Sequence, residues 1–399
     1  MKAFIFTFGC KVNQYESQLL RERLARDGYS WADTIYDADA VFINSCTVTS
    51  EADRQCRQLI RKVANRNPGA KILISGCYAA RASGELKKLS PRVEIAGAAS
   101  INLTASAPAS ITAFDGHSRA FVKIQDGCNS FCSYCIVPFV RREMWSKPTA
   151  IAVEEIRTLV ANGYPEIVLS GVRLGRYDGG LVPLLKKIIA LQGRFRIRLS
   201  SLEALDVTDG LLDCMADYRE KICAHLHIPM QSGSDAVLRR MNRPYLSDGF
   251  LRIAENIARR LPDAGITTDI IVGFPGETGD DFEQTHKLAA SGIFSRLHVF
   301  SFSPRPGTAA EKFPGRIDAG IIKERAGLLR ALDAGLQDIF WKRFIEKKLA
   351  VVREGTKNTL LSDNYIRLHS LDDINTISDS LFNVKLVSHN GKPAATCIS

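Results

Sequence analysis

Short apolar runs and amphipathic stretches alternate along the first part of the chain. Lys2–Phe8, Ala40–Asn44 and Lys71–Ser75 are apolar, partly β-branched runs that predict strands, and Val93–Ile95 predicts a fourth. Leu19, Leu20 and Leu24 recur at helical spacing ahead of Gly28, which predicts a first helix. A second helix is predicted from about Ser50 to Asn67, where Asn67-Pro68-Gly69 stops it, and a third near Ala80–Leu89. Strands separated by helices imply a parallel, doubly wound sheet, here over residues 1–100.

Between Ser100 and His117 the composition shifts to Ala, Ser, Thr and Pro without periodicity, and residues 101–117 read as a linker. The alternation resumes over residues 118–340. Phe121–Gln125, Glu166–Ser170, Arg196–Ser200, His225–Pro229, Thr267–Val272 and Leu297–Phe302 predict strands of an open sheet or a partial (β/α)6 barrel. A helix is predicted over Ile321–Arg343. Residues 341–399 hold short apolar runs (Leu349–Val352, Tyr365–Leu368, Phe382–Val387) split by Gly, Asn and Asp, the pattern of a small all-β domain.

Composition changes this α/β picture little. At 399 residues the chain is too long for one ordinary domain, and 45% hydrophobic residues suffice for sizeable cores. The net charge of +10 suits a polyanionic partner without demanding one. No apolar run approaches the roughly 18–20 residues of a membrane span, and no secretion signal opens the chain, so a cytoplasmic protein off the membrane is expected. Cytosolic thiols stay reduced, so clustered cysteines read as ligands or catalytic groups. Cys56, Cys214, Cys223 and Cys397 stand alone and read as packing or surface thiols.

Two cysteine patterns carry chemistry. Cys128, Cys132 and Cys135 lie on one loop after a predicted strand. Three thiolates can ligate three irons of a [4Fe–4S] cube and leave the fourth open, whereas structural zinc needs a fourth ligand, and none lies nearby. Cys10, Cys46 and Cys77 are distant in sequence, yet each directly follows a predicted strand. In a parallel sheet those ends share one edge, where ligand sites form, so a second three-cysteine cluster is expected.

The spacing of Cys128, Cys132 and Cys135 resembles the radical S-adenosylmethionine (SAM) enzymes. Phe8-Gly9-Cys10-Lys11-Val12-Asn13-Gln14-Tyr15-Glu16-Ser17, Asn44-Ser45-Cys46-Thr47-Val48-Thr49, Gly76-Cys77-Tyr78, Gln125-Asp126-Gly127-Cys128, His227-Ile228-Pro229-Met230-Gln231-Ser232-Gly233-Ser234 and Asp269-Ile270-Ile271-Val272-Gly273-Phe274-Pro275-Gly276-Glu277 resemble the methylthiotransferases over nearly the whole chain. The resemblance implies two [4Fe–4S] clusters. The one at Cys128, Cys132 and Cys135 binds and cleaves SAM to a 5′-deoxyadenosyl radical, and the one at Cys10, Cys46 and Cys77 carries the sulfur. One SAM supplies the methyl group and a second the radical. It further implies SAM contacts at the strand ends (Gly171, Glu203, Gln231, Gly273), tRNA as substrate, an external electron donor, a monomer and a TRAM-like RNA-binding C-terminal domain.

Within that family, Gly9-Cys10-Lys11-Val12-Asn13-Gln14-Tyr15-Glu16 and Cys46-Thr47-Val48-Thr49 are similar to the branch acting on N6-threonylcarbamoyladenosine beside the anticodon. The isopentenyladenosine branch usually reads Gly-Cys-Gln-Met-Asn there, and a third branch modifies a ribosomal-protein aspartate. Arg54, Arg57 and Arg61 form one helical stripe near Cys46 that could grip phosphates. Arg141-Arg142, Arg239-Arg240, Arg243 and Arg259-Arg260 read as a mix of surface and backbone contacts. Two positions depart from the family pattern: Arg142 stands where glycine is usual, and Lys147 where arginine is usual. Arg142 lacks glycine's freedom at positive φ and Lys147 lacks the bidentate fork, so weaker cofactor binding is an expectation. A different radical SAM reaction would need a fourth ligand for the second cluster. An iron–sulfur or zinc RNA-binding module would leave the strand-end pattern unexplained.

Overall fold

A computed structural model describes residues 1–96, 110–355, 358–374, 377 and 379–398. Strands and helices alternate at first: β1 (Lys2–Thr7), α1 (Lys11–Arg26), β2 (Ser30–Trp31), β3 (Ala40–Ser45), α2 (Ser50–Arg66), β4 (Lys71–Ser75), α3 (Gly76–Lys87) and β5 (Val93–Ile95). They form a parallel sheet in the order β2-β1-β3-β4-β5. The short edge strand β2 escapes the sequence pattern because two exposed residues carry no alternation. Thr49 caps α2, accepting a hydrogen bond from the Ala52 N–H at 3.2 Å. The register pairs Thr7 with Asn44 and Asn44 with Ser75, so β1, β3 and β4 end level with one another.

Most of the 101–117 stretch lies outside the described residues. Where the chain is described again, Ile111 and Phe114 are buried in the core of the next sheet. That part comprises β6 (Ala120–Asp126), α4 (Val137–Val140), β7 (Trp145–Ser146), α5 (Thr149–Ala161), β8 (Glu166–Gly171), α6 (Leu181–Ile189), β9 (Arg196–Leu199), α7 (Asp209–Asp217) and β10 (His225–His227). It continues with α8 (Asp235–Arg240), α9 (Ser247–Arg260), β11 (Gly265–Val272), α10 (Gly279–Ala289), β12 (Arg296–Ser301) and α11 (Ala319–Lys342). β6, β8 and β9 run parallel, as do β10, β11 and β12, and a parallel bridge from Ser201 to His227 joins the two sets. The result is a partial (β/α)6 barrel whose strand ends all face one way. The barrel core takes in Tyr15 and Leu19 of α1, so the first helix packs on the barrel as well as on its own sheet.

A closed five-stranded barrel follows: β13 (Lys348–Arg353), β14 (Thr359–Ser362), β15 (Arg367–Ser370), β16 (Leu381–His389) and β17 (Lys392–Cys397), with Phe340, Trp341 and Phe344 in its core. It docks on the N-terminal ends of the parallel strands through a buried charge cluster. Glu166 pairs with Arg196, Arg198 and Arg119. Arg196 donates to the carbonyls of Ala350 (2.8 Å) and Leu361 (2.9 Å), and Arg198 to those of Asp363 and Ser362 (both 2.9 Å). Among the described residues no helix is long and apolar enough to cross a membrane.

Candidate active site

The N-terminal sheet presents Cys10, Cys46 and Cys77 just beyond β1, β3 and β4. Cys10 is exposed at the start of α1, while Cys46 and Cys77 are buried. Amide side chains lock this edge. Asn13 donates to the carbonyls of Phe8 (2.9 Å) and Ser45 (3.1 Å), and Asn44 donates to the Asn13 carbonyl at 2.9 Å. Gly76 sits at φ +86°, where a Cβ would lie 2.3 Å from the Ser45 carbonyl oxygen, so the turn into Cys77 requires glycine. Burial pushes the Cys77 thiol up to about 11 and raises Cys46 as well.

The second cysteine set follows β6. Gly127 (φ +79°) brings the loop so close to Glu143 that a Cβ would meet its carbonyl oxygen at 2.1 Å. Ser130 N–H donates to Cys128 Sγ at 3.3 Å, and Arg243 Nη1 donates to Cys132 Sγ at 3.3 Å. Burial pushes Cys135 up to about 12. Buried thiols become anionic ligands only beside positive charge, and each set has an arginine on one sulfur: Arg243 on Cys132, Arg141 on Cys77. Among the described residues no three His, Cys, Asp or Glu side chains converge as a single-ion site requires. A four-iron cube instead takes one thiolate per iron, and three cysteines on each edge fit such a group.

The strand-end residues lie on the same side as Cys128. Gly171 ends β8, close enough to Gln125 that a Cβ would touch its Cβ at 3.0 Å. Glu203 follows β9 and is engaged by both terminal nitrogens of the Arg243 guanidinium, at 3.2 and 2.5 Å. Gln231 follows β10 in the left-handed region (φ 69°), its N–H bonded to the Asp269 carbonyl at 2.8 Å. Gly273 directly follows β11, its N–H donating to Glu277 at 3.2 Å while Ile322 covers its Cα. Inside the barrel His227 lies 3.3 Å from Asp269, and burial together with His227 lowers His298 to about 4.

Several expectations need correction. Arg141 and Arg243 are not surface residues. Arg243 is 9% exposed, and Arg141 is committed to Cys77, Glu16, Asp126 and Asn13. The interrupting charge in the β6 run Val122-Lys123-Ile124-Gln125-Asp126 was the available signal that buried partners face this strand. Arg142 is exposed and has no positive φ, so no glycine is required there. Lys147 points away from the cysteine loop into a buried cluster, pairing with Glu155 and donating to the Tyr15 hydroxyl at 2.6 Å. Of the α2 stripe, Arg54 is clamped on Glu51 and Arg57 donates to the Tyr78 hydroxyl at 2.7 Å, while Arg61 is exposed.

A partial (β/α)6 barrel with three cysteines on the loop after its first strand is the layout of a radical SAM protein. Residues 122–289 match the radical SAM superfamily, and residues 2–97 match a family described as uncharacterized protein family UPF0004. The threonylcarbamoyladenosine tRNA methylthiotransferase MtaB of Thermotoga maritima is 39% identical over 377 residues, covering 88% of this chain and 86% of that protein. The Bacillus subtilis protein of the same name is 35% identical, covering 87% and 84%. The tRNA-2-methylthio-N(6)-dimethylallyladenosine synthase of Endomicrobium trichonymphae is 36% identical, covering 78% of each chain. The radical SAM methyltransferase TsrM of Kitasatospora setae, solved with cobalamin and a [4Fe–4S] cluster, shares the fold alone, with a TM-score of 0.57 at 13% identity over 77% of this chain and 76% of that one. The chain belongs to the radical SAM tRNA methylthiotransferase family.

Proposed function

We propose that this chain adds a methylthio group to N6-threonylcarbamoyladenosine in tRNA, beside the anticodon. The observation that carries the reading is the pair of three-cysteine edges, one on each parallel sheet, joined through Arg141. Cys128, Cys132 and Cys135 would hold the cluster that binds SAM, and Cys10, Cys46 and Cys77 the second cluster. When bound, the second cluster would supply the sulfur, and SAM would supply the methyl group and, through the first cluster, the radical. The chain's own residues shape the space between them. Arg243 steadies Cys132 and orients Glu203, whose carboxylate, with Gln231 and the ends of β8 and β11 at Gly171 and Gly273, faces the cofactor. Helix α1, packed on both sheets, fixes how far Cys10 stands from the Cys128 loop.

The C-terminal barrel, TRAM-like in its strand pattern, and Arg61 on α2 would contact the RNA backbone. The electron comes from an external donor, and the chain acts as a monomer. Nucleoside mass spectrometry of total tRNA tests the reading, in a host lacking its own methylthiotransferases, with and without this gene. 2-Methylthio-N6-threonylcarbamoyladenosine should appear only with the gene. The isopentenyl product alone would overturn the substrate and keep the chemistry, and no product of either kind would overturn both.

A further inference from the structure

The main chain and side chain of Arg141 face different cysteine sets. Its carbonyl oxygen accepts the Cys128 N–H at 3.3 Å, and its Nε donates to Cys77 Sγ at 3.3 Å. The rest of the guanidinium is committed. Nη1 donates to Glu16 and to Asp126, both at 2.8 Å, and Nη2 donates to Glu16 and to Asn13, both at 2.9 Å. Asn13 Oδ1 also lies 3.7 Å from Cys10 Sγ. Lys123 completes the cluster, donating to Glu16 at 3.0 Å and Asp126 at 2.9 Å. Two cations thus face two carboxylates, and a guanidinium with partners on every nitrogen cannot turn away from the sulfur.

We propose that Arg141 is a positioning residue that sets the potential of the cluster at Cys10, Cys46 and Cys77 while holding that edge against the Cys128 loop. The physical basis is general. Hydrogen bonds and positive charge at a ligand sulfur stabilise the reduced, more negative form of an iron–sulfur cluster and raise its potential. Cys77 receives both from Arg141, and Glu16 and Asp126 temper the charge it feels. An arginine gives this effect with a fixed geometry, because its planar fork is locked by the two carboxylates. The same residue carries the Cys128 N–H on its carbonyl, so the two cysteine edges cannot shift independently.

The inference rests on the two-cluster reading, and the test separates the two. The full-length chain carrying Cys128→Ala, Cys132→Ala and Cys135→Ala is reconstituted with iron and sulfide under anaerobic conditions. It is then titrated potentiometrically with electron paramagnetic resonance as the readout. If this protein loads no cluster, the two-cluster reading fails. With a cluster loaded, Arg141→Gln should lower the midpoint potential by about a tenfold change in reduced-to-oxidised ratio, about 59 mV for one electron. Arg141→Lys should recover part of that shift, and Glu16→Gln should move the potential the other way. Opposite shifts are not expected of a residue that merely braces the fold. A wild-type potential in Arg141→Gln, or shifts of the same sign in Arg141→Gln and Glu16→Gln, would overturn the proposal. If Arg141→Gln loads no cluster, Glu16→Gln decides: a raised potential supports the assignment and an unchanged one sinks it.

Discussion

Arg243 stands between Cys132 and Glu203, donating to the sulfur at 3.3 Å through Nη1 and to the carboxylate at 2.5 Å through Nη2. Tyr245 holds it from behind, accepting from Nη2 at 2.6 Å and donating to the Pro229 carbonyl at 2.7 Å. The arginine therefore ties Cys132, a proposed cluster ligand, to the strand ends where SAM is proposed to bind. Loss of such an outer partner typically costs 10–100-fold in metal affinity or activity. Arg243→Gln should slow 5′-deoxyadenosine formation by about that factor, measured by chromatography under reducing, anaerobic conditions. An unchanged rate at full iron content would remove Arg243 from the cofactor's surroundings.

The two cysteine sets should separate by function. Alanine at Cys128, Cys132 or Cys135 should abolish 5′-deoxyadenosine formation. Cys46→Ala should leave uncoupled cleavage of SAM in place and stop sulfur insertion. Methylthiolated nucleoside from the Cys46→Ala protein would exclude a sulfur-carrying role for that edge.

Lys11 directly follows Cys10 and, among the described residues, has no ion-pair partner, while its charge is felt by His298 inside the barrel. The threonylcarbamoyl group carries a carboxylate that an isopentenyl group lacks, and N6 and C2 lie on the same edge of adenine. A cation beside the sulfur-bearing edge suits that carboxylate. A hydrogen bond to a charged group contributes about 1.5–3 kcal/mol, so Lys11→Gln should lower kcat/KM on threonylcarbamoyl tRNA by roughly 10–100-fold. The effect should fall mainly on KM, and equal KM values for the two proteins would refute it.

Glu166 is fully buried among Arg196, Arg198 and Arg119. Burial by itself would raise its pKa, but Arg198 and Arg196 outweigh that and hold the carboxyl well below the ordinary range. Breaking such a cluster at one partner costs about 3–5 kcal/mol. Glu166→Gln should therefore lower the temperature at which the C-terminal barrel undocks, followed by the fluorescence of Trp341. The sign with pH follows from the depressed pKa. The contribution is fully present above the unfolded value of about 4.3 and is lost as pH falls through the folded value. The gap between wild type and Glu166→Gln should thus be flat from pH 7 to 5 and shrink only in stronger acid. A gap that grows on acidification would contradict the assignment.

The alternation of apolar runs and amphipathic stretches was enough to place β3, β4, β5 and the six barrel strands within a residue or two, because parallel strands buried on both faces read as continuous apolar runs. It missed β2, β7, β14 and β17, which are short or carry few β-branched residues. The cysteine spacing likewise pointed to the radical SAM family without coordinates, since residue type and spacing are local properties. The partners of the charged side chains were not legible. Arg141 and Arg142 are neighbours in sequence, yet one is fixed by residues on α1, α3 and β6 and the other faces solvent.

The sequence by itself determined the fold class, the two sets of three cysteines and the family, because each rests on local pattern and composition. Only the tertiary structure decided which charges are spent inside the protein. A guanidinium looks the same in sequence on a wet surface and in a buried pair. Its role depends on carboxylates and sulfurs brought to it from distant segments, and packing α1 against both sheets is what brings Glu16, Cys77 and Asp126 to Arg141.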